Sequence, residues 1–345
     1  MENINHQQQQ YQPPPNVLIT PPSEKRLFKN KISFISSGLL IYSAIMYAVV
    51  FGIMFISIFI QGIISGIKNE TPDIDAIMNE LMETDMGMGI AVILGCLFLL
   101  LFNIKRVRPK QIFEKRKPMS ISKFIMLVCV LMCIQLPISL FDVLFETILN
   151  QFGFSAQAAI ESSQAGSTTI SMMLYAGFIG PFAEEFVYRG YTMKTLESTG
   201  AGKGYALVIS SILFGIMHAN PTQSVYAFFA GMVFAYAAME YGIIWSMILH
   251  IANNFLFGDV MVFICNHIPE STADIINWVM LIGLCIAGIV VLIVKRKQTA
   301  EYIRTNFRTD KKYYSWTFTN ILFWVFVGIN IILAITAINP IETAS

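Results

Sequence analysis

Residues 275–294 read IINWVMLIGLCIAGIVVLIV, a run of twenty positions without a charged side chain. A helix of that length is long enough to cross a hydrocarbon core of about 30 Å. Over all 345 residues the mean hydropathy is +0.61, and only 13% of the side chains are charged. A soluble domain carries about 25% charged residues. The composition therefore excludes a soluble protein and makes the lipid bilayer the solvent.

Nine apolar segments of this kind predict membrane helices. They lie roughly at 40–64, 87–104, 123–148, 168–188, 205–219, 224–240, 243–264, 275–294 and 317–338. Only helices and closed barrels satisfy the backbone groups inside lipid, and the alternating pattern of a barrel strand is absent here. The prediction is an all-α fold, a polytopic transmembrane helical bundle of about 8–9 spans.

The long loops alternate in charge. Basic clusters occur at 25–31, 105–117 and 295–312, whereas the loops at 70–85, 155–168 and 266–274 are acidic or neutral. The positive-inside rule then predicts a cytoplasmic N-terminus. The Gln-rich start and the Ile/Lys/Asn-rich composition favour a bacterial plasma membrane. The net charge of +1 indicates no particular partner beyond the bilayer, and nucleic acid is not expected.

The ends of the chain differ from its middle. Residues 1–30 form a polar tail with Gln7–Gln10 and Pro13–Pro15, which predicts disorder and no cleavable signal peptide. N-terminal membrane helices are expected over 31–150, a central core over 165–265, and C-terminal membrane helices over 266–345. The five cysteines lie in or beside apolar segments and are interpreted as small core residues: Cys96, Cys129, Cys133, Cys265 and Cys285.

Ionisable side chains within the apolar segments are the functional candidates. Each costs about 2.5–3.5 kcal/mol to insert at a helix centre, so each predicts a function by default. The main set is Glu184, Glu185, Arg189, His218 and His250. Four more acids lie in or near segments, namely Asp142, Glu146, Glu240 and Asp259.

The stretch PFAEEFVYRG at 181–190 contains the two adjacent acids. Glu185 and Arg189 are four residues apart with the acid first, the favourable order for an ion pair within one helix. Glu184 points about 100° away from Glu185 and has no local cation. It is either a desolvated carboxylate suited to act as a general base or a solvated residue at the membrane boundary.

The two histidines have modest alternatives of their own. His218 follows Phe214 by one turn, and a histidine near a helix end is often only a hydrogen-bonded terminus. His250 and Asn254 share a helical face in an apolar segment. Two side-chain donors directed at one point suit an oxyanion site, but they equally suit hydrogen bonds between helices.

Taken together, Glu-Glu-x-x-x-Arg, Phe-x-x-x-His and His-x-x-x-Asn resemble the signature of the CAAX-processing and bacteriocin-processing (CPBP) family. These intramembrane endopeptidases are related to the type II CAAX prenyl endopeptidase. The motifs lie at Glu184-Glu185…Arg189, Phe214…His218 and His250…Asn254, and the similar core covers roughly 165–265. All motif positions match.

The resemblance implies glutamate-dependent hydrolysis of a membrane-associated peptide or protein. Glu184 and His218 would activate water, His250 and Asn254 would stabilise the oxyanion, and Glu185 with Arg189 would support the site. No cofactor is favoured, although Glu184, His218 and His250 could supply a divalent metal set such as a zinc site. The zinc-protease motif His-Glu-x-x-His is absent.

Bringing Glu184 to His218 requires the fourth helix to continue past Arg189 to about Glu197, and we expect that extension. Two other function classes remain. A proton- or cation-coupled transporter would use the same ionisable residues, but neither an internal repeat nor a pair of broken helices is evident. A non-catalytic immunity or scaffold protein could also share the fold.

Overall fold

A computed structural model describes residues 22–74, 76, 86–103, 109–157 and 169–341. Within these ranges the chain is almost entirely helical. The helices are α1 Glu24–Lys68, α2 Met86–Asn103, α3 Pro109–Ile112, α4 Ile121–Gln151, α5 Ile170–Leu174, α6 Gly180–Glu185, α7 Lys194–Glu197, α8 Lys203–Met217, α9 Pro221–Tyr241, α10 Ile243–Ile251, α11 Val260–Cys265, α12 Glu270–Asn306, α13 Lys311–Phe318 and α14 Ile321–Thr336. Three π-helical segments are inserted among them: π1 Tyr175–Ile179, π2 Phe186–Met193 and π3 Ala252–Asp259.

The all-α prediction is confirmed, but the count of 8–9 spans is not. In the described ranges, five helices are long and apolar enough to cross a membrane, or six if the bent pair α13–α14 is one span. Each of the nine predicted segments does overlap helical structure. However, residues Gly87–Asn103 and α8 are shorter than a full span, and the segment at 168–188 is divided into brief α and π pieces.

The expected continuation of the fourth helix is confirmed. Helical structure runs from Ile170 through π1, α6 and π2 to α7, which ends at Glu197. The predicted tail is too long, because α1 already begins at Glu24 with Ser23 as its N-cap. Residues 1–21 of that tail, and the predicted loop positions 77–85, 104–108 and 158–168, lie outside the described residues.

A two-stranded antiparallel sheet is the remaining regular structure in the described part of the chain. It pairs β1 Phe154–Ser155 with β2 Asn339–Pro340. The first and last membrane segments also pack together, since α14 contacts both α1 and α8. All five cysteines are free thiols, with Cys285 buried and the others half-buried.

A buried core surrounds π2, whose eight residues are all buried. Helix α1 crosses it at Gly38, where an added Cβ would lie 2.1 Å from the Tyr191 hydroxyl. That hydroxyl donates to the Phe34 carbonyl of α1 at 2.7 Å. Helix α2 approaches α1 in the same way, because Gly95 leaves room for the Tyr42 ring. These close contacts hold α1 and α2 against the helix that carries the two glutamates.

Candidate active site

The two glutamates end a short helix, α6, that lies between two π-helical segments. Pro181 occupies one of its first positions, where the missing amide hydrogen removes no bond that the helix needs. π-helical turns are rare and are frequently found at functional sites. The third π-helix, π3, contains Asn254 and begins two residues after His250. Two of the three motif-bearing segments, α6 and α10, therefore adjoin a π-helix, whereas α8 does not.

Glu185 lies in the interior and is fully occupied by partners. Its side chain is 0% exposed, and the Arg189 Nε atom is 3.2 Å from its Oε2. Ser246 donates a short hydrogen bond to the same oxygen, while His250 Nδ1 is 3.1 Å from Oε1. The expected pair of Glu185 and Arg189 is thus present, and it belongs to a larger buried cluster.

Arg189 is held by contacts on its other sides as well. Its Nη2 donates to the Gly231 carbonyl at 3.1 Å, and its guanidinium carbon lies 4.5 Å from the centre of the Phe214 ring. A Cβ at Gly231 would be 2.9 Å from Phe214 and 3.4 Å from Arg189 Nη2. Glycine at 231 is therefore what lets α9 approach the guanidinium so closely.

His250 lies between the two glutamates. Its Nδ1 faces Glu185, and its Nε2 is 3.7 Å from Glu184 Oε2. The ring stacks on Phe234 with the ring centres 4.3 Å apart. Because a carboxylate accepts only, the nitrogen facing Glu185 carries a proton. His250 is buried behind Glu184 rather than exposed on the open side of it.

A cavity of about 630 Å³ opens in front of Glu184. Glu184, His218 and Asn254 all line it, together with Tyr175 and Gln223. Its opposite wall is largely apolar and belongs to α1 and α2: Tyr42, Met46, Val50, Ile53, Met54, Met88 and Val92. A quarter of the Glu184 side chain is exposed, which makes this carboxylate accessible to a molecule in the cavity.

His218 follows the last residue of α8 and is half-buried. Its Nδ1 is 2.9 Å from the Phe214 carbonyl oxygen, and its ring packs edge-on against the Phe214 ring. A carbonyl accepts only, so Nδ1 carries the proton of the neutral ring and Nε2 keeps a lone pair. The Phe-x-x-x-His spacing thus sets the tautomer that can accept a proton from water.

Asn254 lines the cavity from π3, and its Nδ2 donates to the Ala176 carbonyl of π1 at 3.2 Å. Its Oδ1 accepts from Asn253 Nδ2 at 2.9 Å. The structure therefore brings Glu184, His218 and Asn254 to one cavity. His250 lies directly behind Glu184, and Glu185 with Arg189 lies deeper still.

The other acids near the apolar segments have separate positions. Glu240 pairs with Lys203 at 3.1 Å and with Lys117. Glu146 accepts from the Ala156 amide at 3.1 Å. Asp259 packs toward Gly177, whose added Cβ would lie 2.6 Å from Asp259 Oδ2. None of these acids, nor Asp142, is among the cavity-lining residues.

Several polar residues of the site were not singled out from the sequence, among them Ser246, Asn253 and Tyr226. Ser246 is fully buried against Glu185, and Tyr226 donates to Asn253 Oδ1 at 2.7 Å. A usable signal existed, because polar side chains in apolar segments usually bond to another helix. The sequence pattern does not show which residue of the other helix each polar side chain contacts.

The possible metal set is not assembled. Among the residues that the structure describes, no three His, Cys, Asp or Glu side chains converge on a point where they could hold a metal ion. Glu184 and His218 face the cavity, whereas both ring nitrogens of His250 face carboxylates. The donor set named from the sequence does not fit a metal in this arrangement.

Comparison with known proteins supports the resemblance. The family model described as "Type II CAAX prenyl endopeptidase Rce1-like" matches residues 166–256, so the predicted similarity to the CPBP family is confirmed for that segment. The matched segment contains all three motifs. No curated protein and no solved structure gave a significant match. The family match and the apolar helices together indicate a multi-pass membrane protein, and its residues 166–256 are similar to the CAAX-type endopeptidases.

Proposed function

We propose that this protein is an intramembrane endopeptidase that hydrolyses a peptide bond in a membrane-associated peptide or protein. One observation carries the proposal. An accessible glutamate, a histidine with a free ring nitrogen and an asparagine amide line a single cavity between apolar helices. The family match over 166–256 points to the same chemistry.

Water activation is assigned to Glu184 and His218. The Glu184 carboxylate takes a proton from a water in the cavity, while His218 Nε2 accepts a hydrogen bond from that water and orients it. The hydroxide oxygen then forms a bond to the scissile carbonyl carbon. When the carbon–nitrogen bond breaks, Glu184 returns the proton to the leaving nitrogen.

The negative charge on the carbonyl oxygen is assigned to Asn254 and His250. Donors placed in advance at the position of a developing oxyanion stabilise the transition state more than the substrate. Asn254 Nδ2 has a second hydrogen beyond the one given to Ala176. His250 does not line the cavity and its Nε2 faces Glu184 at 3.7 Å, so its part in this role requires an Nε2 proton that reaches the carbonyl oxygen once a substrate is bound.

Glu185 and Arg189 act as supporting residues. They hold His250 and Ser246 in place from the interior, where neither side chain is open to the cavity. The supporting cluster is separate from the residues that would touch a substrate. No step of this mechanism is routed through a metal, because the donor atoms do not converge on one.

The substrate is proposed to approach from the membrane. The wall of the cavity formed by α1 and α2 is apolar, which suits a lipid-attached or membrane-embedded peptide. The charge pattern of the loops supports a cytoplasmic N-terminus in a bacterial plasma membrane. Both assignments are part of the proposal.

The proposal is tested with purified protein in proteoliposomes and an internally quenched peptide that ends in a farnesylated CAAX tail. The wild type should cleave it, and Glu184→Ala, His218→Ala and His250→Ala should each lose most of the activity. A parallel comparison of membrane peptides from cells that express wild type or Glu184→Ala covers substrates without a prenyl group. Unchanged products in all three variants would overturn the enzymatic assignment.

The same liposomes separate the alternative functions. A proton- or cation-coupled transporter would move ions across the vesicle membrane and lose that flux in the three variants. A non-catalytic scaffold would show neither cleavage nor flux. The cavity in front of Glu184 favours hydrolysis over transport, since Glu184, His218 and the Asn254 amide line the same cavity.

A further inference from the structure

Asn254 contributes the last side chain of a series of hydrogen bonds that joins α4, α9 and π3 and ends on π1. Gln135 of α4 donates from Nε2 to the Tyr226 hydroxyl of α9 at 2.9 Å. Tyr226 donates to Asn253 Oδ1 at 2.7 Å, and Asn253 Nδ2 donates to Asn254 Oδ1 at 2.9 Å. Asn254 Nδ2 completes the chain by donating to the Ala176 carbonyl at 3.2 Å. All four side chains are half-buried.

The hydrogen bonds of the chain all run in one direction, and the Ala176 carbonyl at its end agrees with that direction. A backbone carbonyl only accepts, so Ala176 requires the Nδ2 side of Asn254. The Oδ1 side of Asn254 then faces Asn253 and requires a donor there. That donor turns Asn253 Oδ1 toward Tyr226, whose single hydroxyl hydrogen is thereby used. The Tyr226 oxygen is left to accept from Gln135 Nε2.

The direction of the hydrogen bonds matters because an asparagine amide has a donor group at one end and an acceptor oxygen at the other. With Nδ2 held toward Ala176, its second hydrogen is the group that Asn254 offers to the cavity. A half-turn of the amide would instead present an oxygen, which repels a developing oxyanion. Side-by-side bonding of Asn253 and Asn254 is itself unusual, since adjacent residues of a regular helix do not face each other.

We propose that Gln135, Tyr226 and Asn253 are positioning residues that, together with the Ala176 carbonyl, set the polarity of the Asn254 amide. This inference rests on the proposed hydrolytic function and extends it to residues outside the three motifs. It assigns to α4, which contributes no motif residue, a defined part in the oxyanion site. None of the three positioning residues needs to touch a substrate.

Simple helix-to-helix bonding would make a different prediction. If the chain only joined helices, each lost bond would lower stability, and a closer replacement in shape would be tolerated better. Polarity control predicts the reverse at Gln135. Gln135→Leu removes the first donor but leaves Tyr226 free to donate to Asn253, so the direction of the chain survives.

Gln135→Glu keeps the shape and reverses the chain. A carboxylate accepts the Tyr226 hydroxyl hydrogen, which forces the Tyr226 oxygen to accept from Asn253 Nδ2. Asn253 Oδ1 then accepts from Asn254 Nδ2, which gives up its bond to the Ala176 carbonyl, and Asn254 presents its oxygen to the cavity. The more conservative substitution should therefore be the more damaging one.

The experiment uses the full chain in proteoliposomes with the quenched farnesylated CAAX peptide as probe. We expect Tyr226→Phe to lower kcat by about tenfold to a hundredfold with little change in KM, because the oxyanion exists only in the transition state. Gln135→Glu should lower kcat at least as much, and Gln135→Leu should stay within about threefold of wild type. Thermal unfolding in detergent reports on folding for every variant.

A matched control is Tyr205→Phe. Tyr205 is a buried tyrosine whose hydroxyl is hydrogen-bonded to Thr317, 2.5 Å away and outside the site. This variant should keep the wild-type kcat. The inference is overturned if Tyr226→Phe retains kcat within twofold, or if Gln135→Leu is as damaging as Gln135→Glu. The Gln135 pair still decides the question if Tyr226→Phe does not fold.

Glu184→Ala separates this inference from the function on which it rests. If Glu184→Ala is inactive while Tyr226→Phe and Gln135→Glu are fully active, hydrolysis stands and polarity control fails. If Glu184→Ala remains as active as wild type, the proposed hydrolytic function itself fails.

Discussion

Glu184 and Glu185 are consecutive in the chain, yet they belong to two different regions of the molecule. Glu184 faces a cavity and is one-quarter exposed, with His250 Nε2 at 3.7 Å. Glu185 is fully buried and contacts Arg189, Ser246 and His250. The difference follows from the roughly 100° between successive residues of a helix. The same residue type can therefore supply both the proposed reactive carboxylate and a structural one, because their surroundings differ.

The largest effect is expected from a substitution at Glu184, on the cavity side. Glu184→Gln removes the proton acceptor but keeps the shape, so cleavage of the quenched peptide should fall by about 10²–10⁴-fold. The melting temperature should stay close to that of wild type, because a quarter of the Glu184 side chain is exposed and its contact with His250 Nε2 is long, at 3.7 Å. Retention of more than a tenth of the wild-type rate would contradict the assignment of Glu184 as the base.

The same substitution one residue later tests the buried side. Glu185→Gln leaves Arg189 as an uncompensated charge in the interior, which costs about 3–5 kcal/mol for a buried pair that loses one partner. The free energy of unfolding in mixed detergent micelles measures the loss. Combining it with Arg189→Met should restore part of the stability, and a double variant less stable than Glu185→Gln alone would contradict the pairing.

A third substitution tests whether the cavity side includes the oxyanion donor. Asn254→Ala should lower kcat by about 10²–10³-fold, the usual effect of losing one such donor. KM should change little, and so should thermal stability. Asn330→Ala is the control, since Asn330 lines the same cavity but donates to the Phe326 carbonyl of its own helix. Equal losses in both variants would remove the special role of Asn254.

The smallest effect concerns an ion pair with one exposed partner, the counterpart of Glu185 with Arg189. Lys117 is 71% exposed and pairs with Glu240, and the hydrogen bond to Glu240 raises the pKa of Lys117 above 10.5. Its contribution to stability is therefore full below that ordinary value and is lost as the pH rises through the raised one. Lys117→Met should unfold slightly more easily near neutral pH, and its difference from wild type should vanish in strong alkali. A difference that persists there would contradict the pairing.

Much of the fold could be predicted from hydropathy. Every one of the nine apolar segments overlaps helical structure, and the extension to Glu197 followed from the need to bring Glu184 to His218. The number of spans could not be predicted in the same way. Apolar character does not measure helix length, and α8 is both apolar and too short to count as a full span.

In the candidate site, contacts within one helix could be predicted from the sequence, whereas contacts between helices could not. Spacing along one helix correctly paired Glu185 with Arg189, because four-residue spacing is a local property. The position of His250 between both glutamates depends on how α10 packs against α6, which no local pattern contains. The bonds from Gln135 to Asn253 join segments nearly 120 residues apart in sequence and became visible only when α4, α9 and π3 were placed together.

Helix α1 has a mechanical consequence for this site. It is 45 residues long, about 68 Å at 1.5 Å per residue. One part of it is fastened to π2 through the bond from Tyr191 to Phe34, and about 12 Å further along Tyr42 begins the cavity wall. A helix is stiff over such a distance, so α1 couples the width of the cavity to the position of the buried cluster of Glu185 and Arg189. A bulkier substrate that pushed the cavity wall outward would therefore also pull on π2, which contains Arg189. Adaptation to a new substrate is expected through changes in the side chains of α1 rather than through a change in its tilt.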